Sequence, residues 1–359
     1  MTRSAAAPDA VGADVARPGQ ADRPRVRPTS RGEDLVTVLL GACLVAGAMS
    51  DGWAHTNIID TIEGFFTPWH GLLYAGFAAT AGWTCWLAYQ RRDVAPRWWR
   101  DGWPAGYRVG ALGVGMFLLG GLADMLWHET LGVEVGLDAS FSPSHLLIDA
   151  GAVLLLTSPL RAWWASGEGG SRSVTGVLSL AMGAMAPTLL LTHSSAFLSV
   201  APTEAIGAYG NQNGAILGVD AYLVTTVLLT APFLLAHRRR PTFGAGAALV
   251  AGVALFDLVM VEFPASQTVA ALTALLGAVL ADLALLRLDA VRGPDAALRL
   301  PVAGAVYAGL VWAGHLVGLA LTDGLRWTPE VSGGVVTLTA IVGAVLGGLA
   351  ARPTAARAT

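Results

Sequence analysis

Two short stretches of this sequence contain four of its seven histidines, at spacings that metal ligands could use. In each stretch an aspartate and a histidine four positions apart end an apolar segment, and Thr/Ser-Pro-x-His opens the next segment. The copies are offset by 73 residues at the aspartates (124 − 51) and by 75 at the last histidines (145 − 70). Each copy predicts a metal site with one carboxylate and two imidazoles; the residues are Asp51, His55 and His70 in the first copy, and Asp124, His128 and His145 in the second.

The predicted helices would bring each set of three side chains to one ion. Residues four apart lie on one face of a helix, with Cβ atoms about 5–6 Å apart. Thr67 and Ser142 are suitable N-cap residues, each followed by a proline that suits the first helical position, so the closing histidine falls in the first turn of the returning helix. Such a ligand set leaves coordination positions open and suits copper, zinc or non-haem iron without choosing among them.

Three further acids lie near the motifs in sequence. Glu63 and Asp138 each precede the closing histidine by seven residues (70 − 63 and 145 − 138), and Asp149 follows His145 by four. Carboxylates at such places can act as additional ligands, as proton-transfer groups or as partners that orient a ligating histidine. We therefore predict catalytic or supporting roles for these three acids.

The composition predicts an integral membrane protein. Of the 359 residues, 54% are hydrophobic and 13% are charged, and the mean hydropathy is +0.57, whereas soluble domains carry about 25% charged residues. Apolar segments long enough to span a bilayer predict an all-α, polytopic transmembrane helical bundle of about ten spans in five hairpins. The segments lie near 35–54, 69–90, 108–128, 144–164, 174–194, 214–236, 243–262, 267–286, 300–321 and 332–350.

The same pattern suggests how the chain is organised. We expect residues 1–33 to form a disordered cytoplasmic tail, because they are rich in Ala, Pro, Asp and Arg and contain no apolar run. Residues 34–165 form the duplicated metal-hairpin half, residues 166–352 a helical scaffold half of the same membrane domain, and residues 353–359 a second tail.

The arginines predict the orientation of the chain in the membrane. All 22 basic residues are arginine, and an arrangement with both tails and four of the loops on one side collects 21 of them there. Arginine-rich short loops remain in the cytoplasm. Both termini are therefore expected in the cytoplasm, and both motifs at the extracytoplasmic face of the cell (inner) membrane.

Other features narrow the classes of function. Cys43 and Cys85 lie singly in apolar segments and form no CxxC pattern, which favours packing roles. The sequence has no glycine-rich phosphate loop, no G-x-S-x-G pattern and no basic face for nucleic acid. The expected partners are the lipid bilayer and, because glycine and alanine abound in the last four spans, partner subunits or further copies of the chain.

The duplicated pattern resembles that of the C subunit of the copper membrane monooxygenases, which oxidise methane, ammonia or short alkanes. In that family two copies of Asp/Asn-x-x-x-His, each followed about a dozen residues later by a histidine, bind copper in the membrane. The likeness covers roughly residues 36–165, and Asp124 stands where the family usually has asparagine. The resemblance implies that both triads bind copper, with dioxygen and a small apolar substrate as reactants and an electron donor such as a quinol.

Two other functions are compatible with the same residues. A metal-ion transporter or permease needs polar coordination at mid-membrane and alternating access; Asp149, Asp220 and Asp282 favour it, whereas the clustering of ligands at one face disfavours it. A non-catalytic membrane subunit would use the two triads as structural metal sites.

Overall fold

A computed structural model describes residues 26–58, 64–167, 169–206, 212–241, 243–293 and 296–351. Within these residues the chain forms α-helices and short 3-10 turns and contains no strand, which confirms the predicted all-α fold. The ten predicted spans correspond to ten helical segments, one of them divided in two. The helices are α1 (Arg31–Asn57), α2 (Pro68–Tyr89), α3 (Trp98–Asp101), α4 (Tyr107–Leu131), α5 (Leu137–Phe141), α6 (Pro143–Leu156), α7 (Ser158–Ser166), α8 (Ser171–Leu191), α9 (Gln212–His237), α10 (Ala245–Met260), α11 (Ala265–Arg292), α12 (Arg299–Leu321) and α13 (Pro329–Ala351).

The length and composition of these helices make the chain a multi-pass membrane protein. In the described part, eight helices are long and apolar enough to cross a membrane: α1, α4, α6 together with α7, α8 with the turn after it, α9, α11, α12 and α13. The two other predicted spans are α10, which is apolar but has 16 residues, and α2, which has 22 residues but includes tryptophans, threonines and glycines of low hydropathy.

The arginine-bearing connections meet at one end of the bundle. Arg91, which follows α2, donates through Nε to the carbonyl oxygen of Arg27 (2.8 Å). Arg172 at the start of α8 lies 3.4 Å from the carboxylate of Asp34 in the first turn of α1. Arg239, after α9, donates to a carbonyl oxygen in α7 (2.6 Å). Because the motif aspartate and histidine of α1 lie near its last turns, they are at the opposite end of this helix from the arginines.

Glycines at matching positions allow the two helices of each motif hairpin to approach closely. Gly47 and Gly120 each lie four residues before the motif aspartate (51 − 47 and 124 − 120), and Gly76 and Gly151 each lie six residues after the closing histidine (76 − 70 and 151 − 145). A Cβ at any of the four would come within 2.6–2.8 Å of the backbone of the partner helix. The duplication therefore includes the helix crossings: α1 packs on α2, and α4 packs on α6, in the same register.

Alanine at Gly76 is expected to destabilise the protein, because its Cβ would lie 2.6 Å from the Cα of Leu44 and the helices would have to separate. Overpacking of this kind costs about 1–3 kcal/mol. Gly82→Ala is the matched control on the same helix, because a Cβ there meets no described atom within 4 Å. Thermal unfolding of the two purified variants measures the difference, and equal melting temperatures would contradict the close crossing.

The two halves of the chain pack against each other beneath the motifs. α8 contacts α1, α6, α7 and α10, whereas α9 packs mainly on α12 and α13. Methionine and phenylalanine side chains of α8 and α10 join a core formed by the two motif hairpins. This core includes Leu44, Leu73, Phe117, Leu155, Met182, Met185, Phe256 and Met260.

Candidate metal centre

The structure brings the three residues of the first motif together. Asp51 and His55 lie in the last turns of α1, and His70 lies in the first turn of α2. Thr67 caps α2 by accepting a hydrogen bond from the backbone N–H of His70 (3.1 Å), and Pro68 occupies the first helical position. The Nε2 atom of His70 is 3.6 Å from Oδ1 of Asp51, and the rings of His55 and His70 are 5.5 Å apart. One ligand atom from each residue could therefore contact a common ion.

The second motif has the same arrangement. Oδ1 of Asp124 is 3.5 Å from Nε2 of His128, four residues further along α4, and 3.1 Å from Nε2 of His145 in the first turn of α6. Ser142 is the N-cap of α6 and accepts a hydrogen bond from the backbone N–H of His145 (3.4 Å). These three side chains also have ligand atoms close enough for one ion.

Glu134 joins the second group, although the sequence analysis did not single it out. Its Oε2 lies 3.2 Å from Nδ1 of His145, and its side chain is buried. The connection between α4 and α5 passes through Gly132 and Gly136, whose φ angles of 95° and 58° favour glycine. The feature of the sequence that could have identified Glu134 is its position in a short connection between two glycines. Asp138, which the spacing favoured, is exposed and belongs to neither of the two groups found among the described residues.

Backbone carbonyl groups fix the orientation of both closing histidines. The Nδ1 atom of His70 lies 2.7 Å from the carbonyl oxygen of Phe65, and Nδ1 of His145 lies 2.6 Å from that of Ala139. A carbonyl oxygen can only accept a hydrogen bond, so Nδ1 carries the proton in both rings. The lone pair of each neutral ring is therefore on Nε2, which faces an aspartate. Histidine ligands in metal sites are oriented in this way.

The two groups are neighbours. The ring of His128 in the second group is 5.4 Å from that of His70 and 6.0 Å from that of His55 in the first. Near these rings, a carboxylate oxygen of Glu129 in α4 lies 3.4 Å from the backbone nitrogen of Phe65 and accepts its hydrogen bond, which joins the two hairpins. The seven side chains therefore form two neighbouring groups of ligands, one on each of the two hairpins for which the sequence predicts a metal site.

The buried ligand atoms fit a bound cation. Oδ1 of Asp51, Oδ1 of Asp124 and Oε2 of Glu134 are buried and accept no well-formed hydrogen bond among the described residues; their polar neighbours are the imidazole nitrogens 3.1–3.6 Å away. Both ring nitrogens of His128 are likewise buried without a hydrogen bond in the described centre. A buried polar atom without a partner costs free energy. A metal ion would accept the lone pairs of the carboxylates and of one nitrogen of His128. Three carboxylates and four imidazoles suit copper, zinc or iron on donor chemistry.

A cavity of about 600 Å³ borders both groups. Most of its wall is apolar and comes from α1, α4, α6, α8 and α10. Asp149 and His193 also line it; Asp149 does not bond to His145, whose Nδ1 is held by Ala139 and Ser142 instead. The ligand residues in the cavity wall are Asp51, His55, Asp124, Glu134 and His145. Glu63, the remaining predicted acid, lies outside the described residues.

Glu134→Gln is expected to weaken metal binding at the second group at least about 10-fold to 100-fold, because it replaces a charged ligand and the loss of a merely supporting residue already costs that much. Asp138→Asn is the matched control, since it changes an exposed acid in α5, four residues after Glu134 (138 − 134), and is expected to leave the affinity unchanged. Competition titration with a chelator of known affinity measures both constants. An effect of Asp138→Asn as large as that of Glu134→Gln would remove the distinction between the two acids.

Comparisons of the chain with models of protein families, with curated proteins and with solved structures find no match. The likeness to the C subunit of the copper membrane monooxygenases therefore rests on the residues of the two motifs alone.

Proposed function

We propose that this protein is an integral membrane metalloprotein that holds copper at its two groups of ligands and oxidises a small apolar substrate with dioxygen. The observation that carries the proposal is the convergence of seven potential ligands from two hairpins, with ligand atoms that are buried and lack hydrogen-bond partners among the described residues. Ionisable groups at membrane depth are costly and usually functional. The apolar cavity beside them supports an apolar substrate.

Copper is the metal that two arguments favour over zinc and iron. Sites built from nitrogen and oxygen ligands bind divalent copper more tightly than the other first-row ions. The motif residues also resemble a copper-binding pattern. Elemental analysis of the purified protein separates the three metals directly.

The reaction requires an external reductant. Conversion of R–H and dioxygen to R–OH and water takes up two electrons and two protons, which a lipid-soluble donor such as a quinol can supply. Bound copper would supply the redox chemistry with dioxygen. The chain's own part is to fix the ligand histidines in one tautomer, to exclude water with the apolar wall and to transfer protons. Asp149, Glu63 and Asp138 are the groups proposed for proton transfer.

We place the centre at the extracytoplasmic side of the cell (inner) membrane, with both termini in the cytoplasm. The meeting of the arginine-bearing connections at the other end of α1 supports this orientation, because arginine-rich loops stay in the cytoplasm. Partner subunits or further copies of the chain are proposed to complete the electron path from the donor.

The test uses the full chain in membrane vesicles supplied with copper, a short-chain quinol, butane and isotopically labelled dioxygen. We expect labelled butanol from the wild type. Asp124→Ala should give none, because it removes the carboxylate that contacts both histidines of the second group. Copper uptake into sealed vesicles without labelled product would make the protein a metal-ion transporter. If the vesicles show neither labelled product nor copper uptake, and Asp124→Ala lowers the melting temperature, the metal has a structural role.

A further inference from the structure

The cavity beside the ligand groups contains an acid that belongs to neither group among the described residues. Asp149 lies one turn beyond His145 on α6 and is one of the residues that line the cavity. In the part of the chain that the structure describes, it has neither a hydrogen bond nor an ion pair. An acid among apolar side chains is costly unless a donor satisfies it. No side chain in the described cavity wall does so, and a bound ligand can.

The size and lining of the cavity indicate the kind of ligand. About 600 Å³ falls in the range of sites for drug-sized molecules. No arginine lines the described wall, so phosphate-bearing ligands have no cationic partner there. The apolar lining, from residues such as Leu44, Leu156 and Phe256, suits an uncharged and mainly apolar molecule.

We infer that this cavity binds an uncharged, largely apolar molecule that carries a hydroxyl group, and that Asp149 accepts the hydrogen bond of this hydroxyl. Two sources share this chemistry: a lipid-soluble hydroquinone, which would be the electron donor, and a long-chain alcohol, which would be a substrate. The inference rests on the proposed function only in linking the ligand to the metal centre, since binding itself needs no metal.

Three probes test the assignment by anaerobic calorimetric titration of the full-length protein in lipid nanodiscs. They are decylhydroquinone, its dimethyl ether, which lacks the donor hydroxyls, and dodecanol. A hydrogen bond to a carboxylate should favour the hydroquinone over the ether by about tenfold or more in the wild type. In Asp149→Leu this preference should fall to about one while the ether still binds, which also shows that the variant folds. Equal wild-type affinities, or a preference that survives in Asp149→Leu, would overturn the inference.

A second pair of variants tests the place of binding. Ala48 lines the cavity from α1, whereas Ala46 on the same helix is exposed and lies outside the cavity wall. Ala48→Phe should weaken binding of all three probes at least tenfold, and Ala46→Phe should not; equal effects would place the ligand elsewhere. Dodecanol binding as tightly as the hydroquinone identifies the alcohol class, and weaker dodecanol binding identifies the hydroquinone.

Metal content and substrate oxidation are measured on the same samples, so that the two proposals can fail separately. Protein that contains no metal but prefers the hydroquinone through Asp149 would refute the proposed function and retain the ligand site. Protein that contains metal and oxidises the substrate, but binds the hydroquinone no better than the ether, would refute the ligand site alone.

Discussion

Replacing His70 and His145 together by alanine is expected to abolish metal binding. Each substitution removes the histidine that the returning helix contributes, so each group retains ligands from one helix and, in the second group, the loop acid. The loss in affinity at each group should exceed the 10-fold to 100-fold that loss of a supporting residue costs. Elemental analysis of the purified variant measures it as bound metal per chain, with the wild type expected to hold up to two ions.

The matched control is His193→Ala. His193 also lines the cavity but belongs to neither ligand group among the described residues, so its loss should leave the metal content unchanged. Each single variant, His70→Ala or His145→Ala, should lose most metal from its own group. Wild-type metal content in the double variant would contradict the assignment of both groups.

Removing the metal from the wild type is expected to lower its thermal stability by several degrees. An ion that binds only the folded protein stabilises it by about 2.7 kcal/mol at a free concentration one hundred times its dissociation constant. Removal also leaves one buried carboxylate oxygen each of Asp51, Asp124 and Glu134 with only imidazole nitrogens as polar neighbours in the described centre. Melting curves with a chelator and after copper is restored measure the shift.

The double variant provides the control for this experiment. Because this variant lacks both closing histidines, its melting temperature should be the same with the chelator as with added copper, within error. A copper-dependent increase as large as in the wild type would show that the ion stabilises the protein from some other site.

Local features of the sequence were sufficient to predict that the three side chains of each motif lie together. A four-residue spacing on a helix brings Asp124 beside His128, and an N-cap with proline places His145 in the first turn of α6. These effects operate within one helix or one connection. The all-α fold and the ten helical segments follow from apolar segment length in the same way.

The relations between hairpins could not be predicted from these local patterns. The short distance between His70 and His128 depends on how the α1–α2 hairpin packs against α4, and no spacing rule fixes packing between distant segments. Glu134 reaches the centre because two glycines with positive φ turn its loop, and nothing in the first copy marks that position. The cavity depends on residues from seven helices, so no local pattern in the sequence predicts it.

The most direct test of the central claim is an anomalous-scattering map of the full-length protein loaded with copper. We expect one peak between the ligand atoms of Asp51, His55 and His70, and a second between those of Asp124, His128, Glu134 and His145. A map with no peak at either group, or with copper only elsewhere in the molecule, would contradict the account.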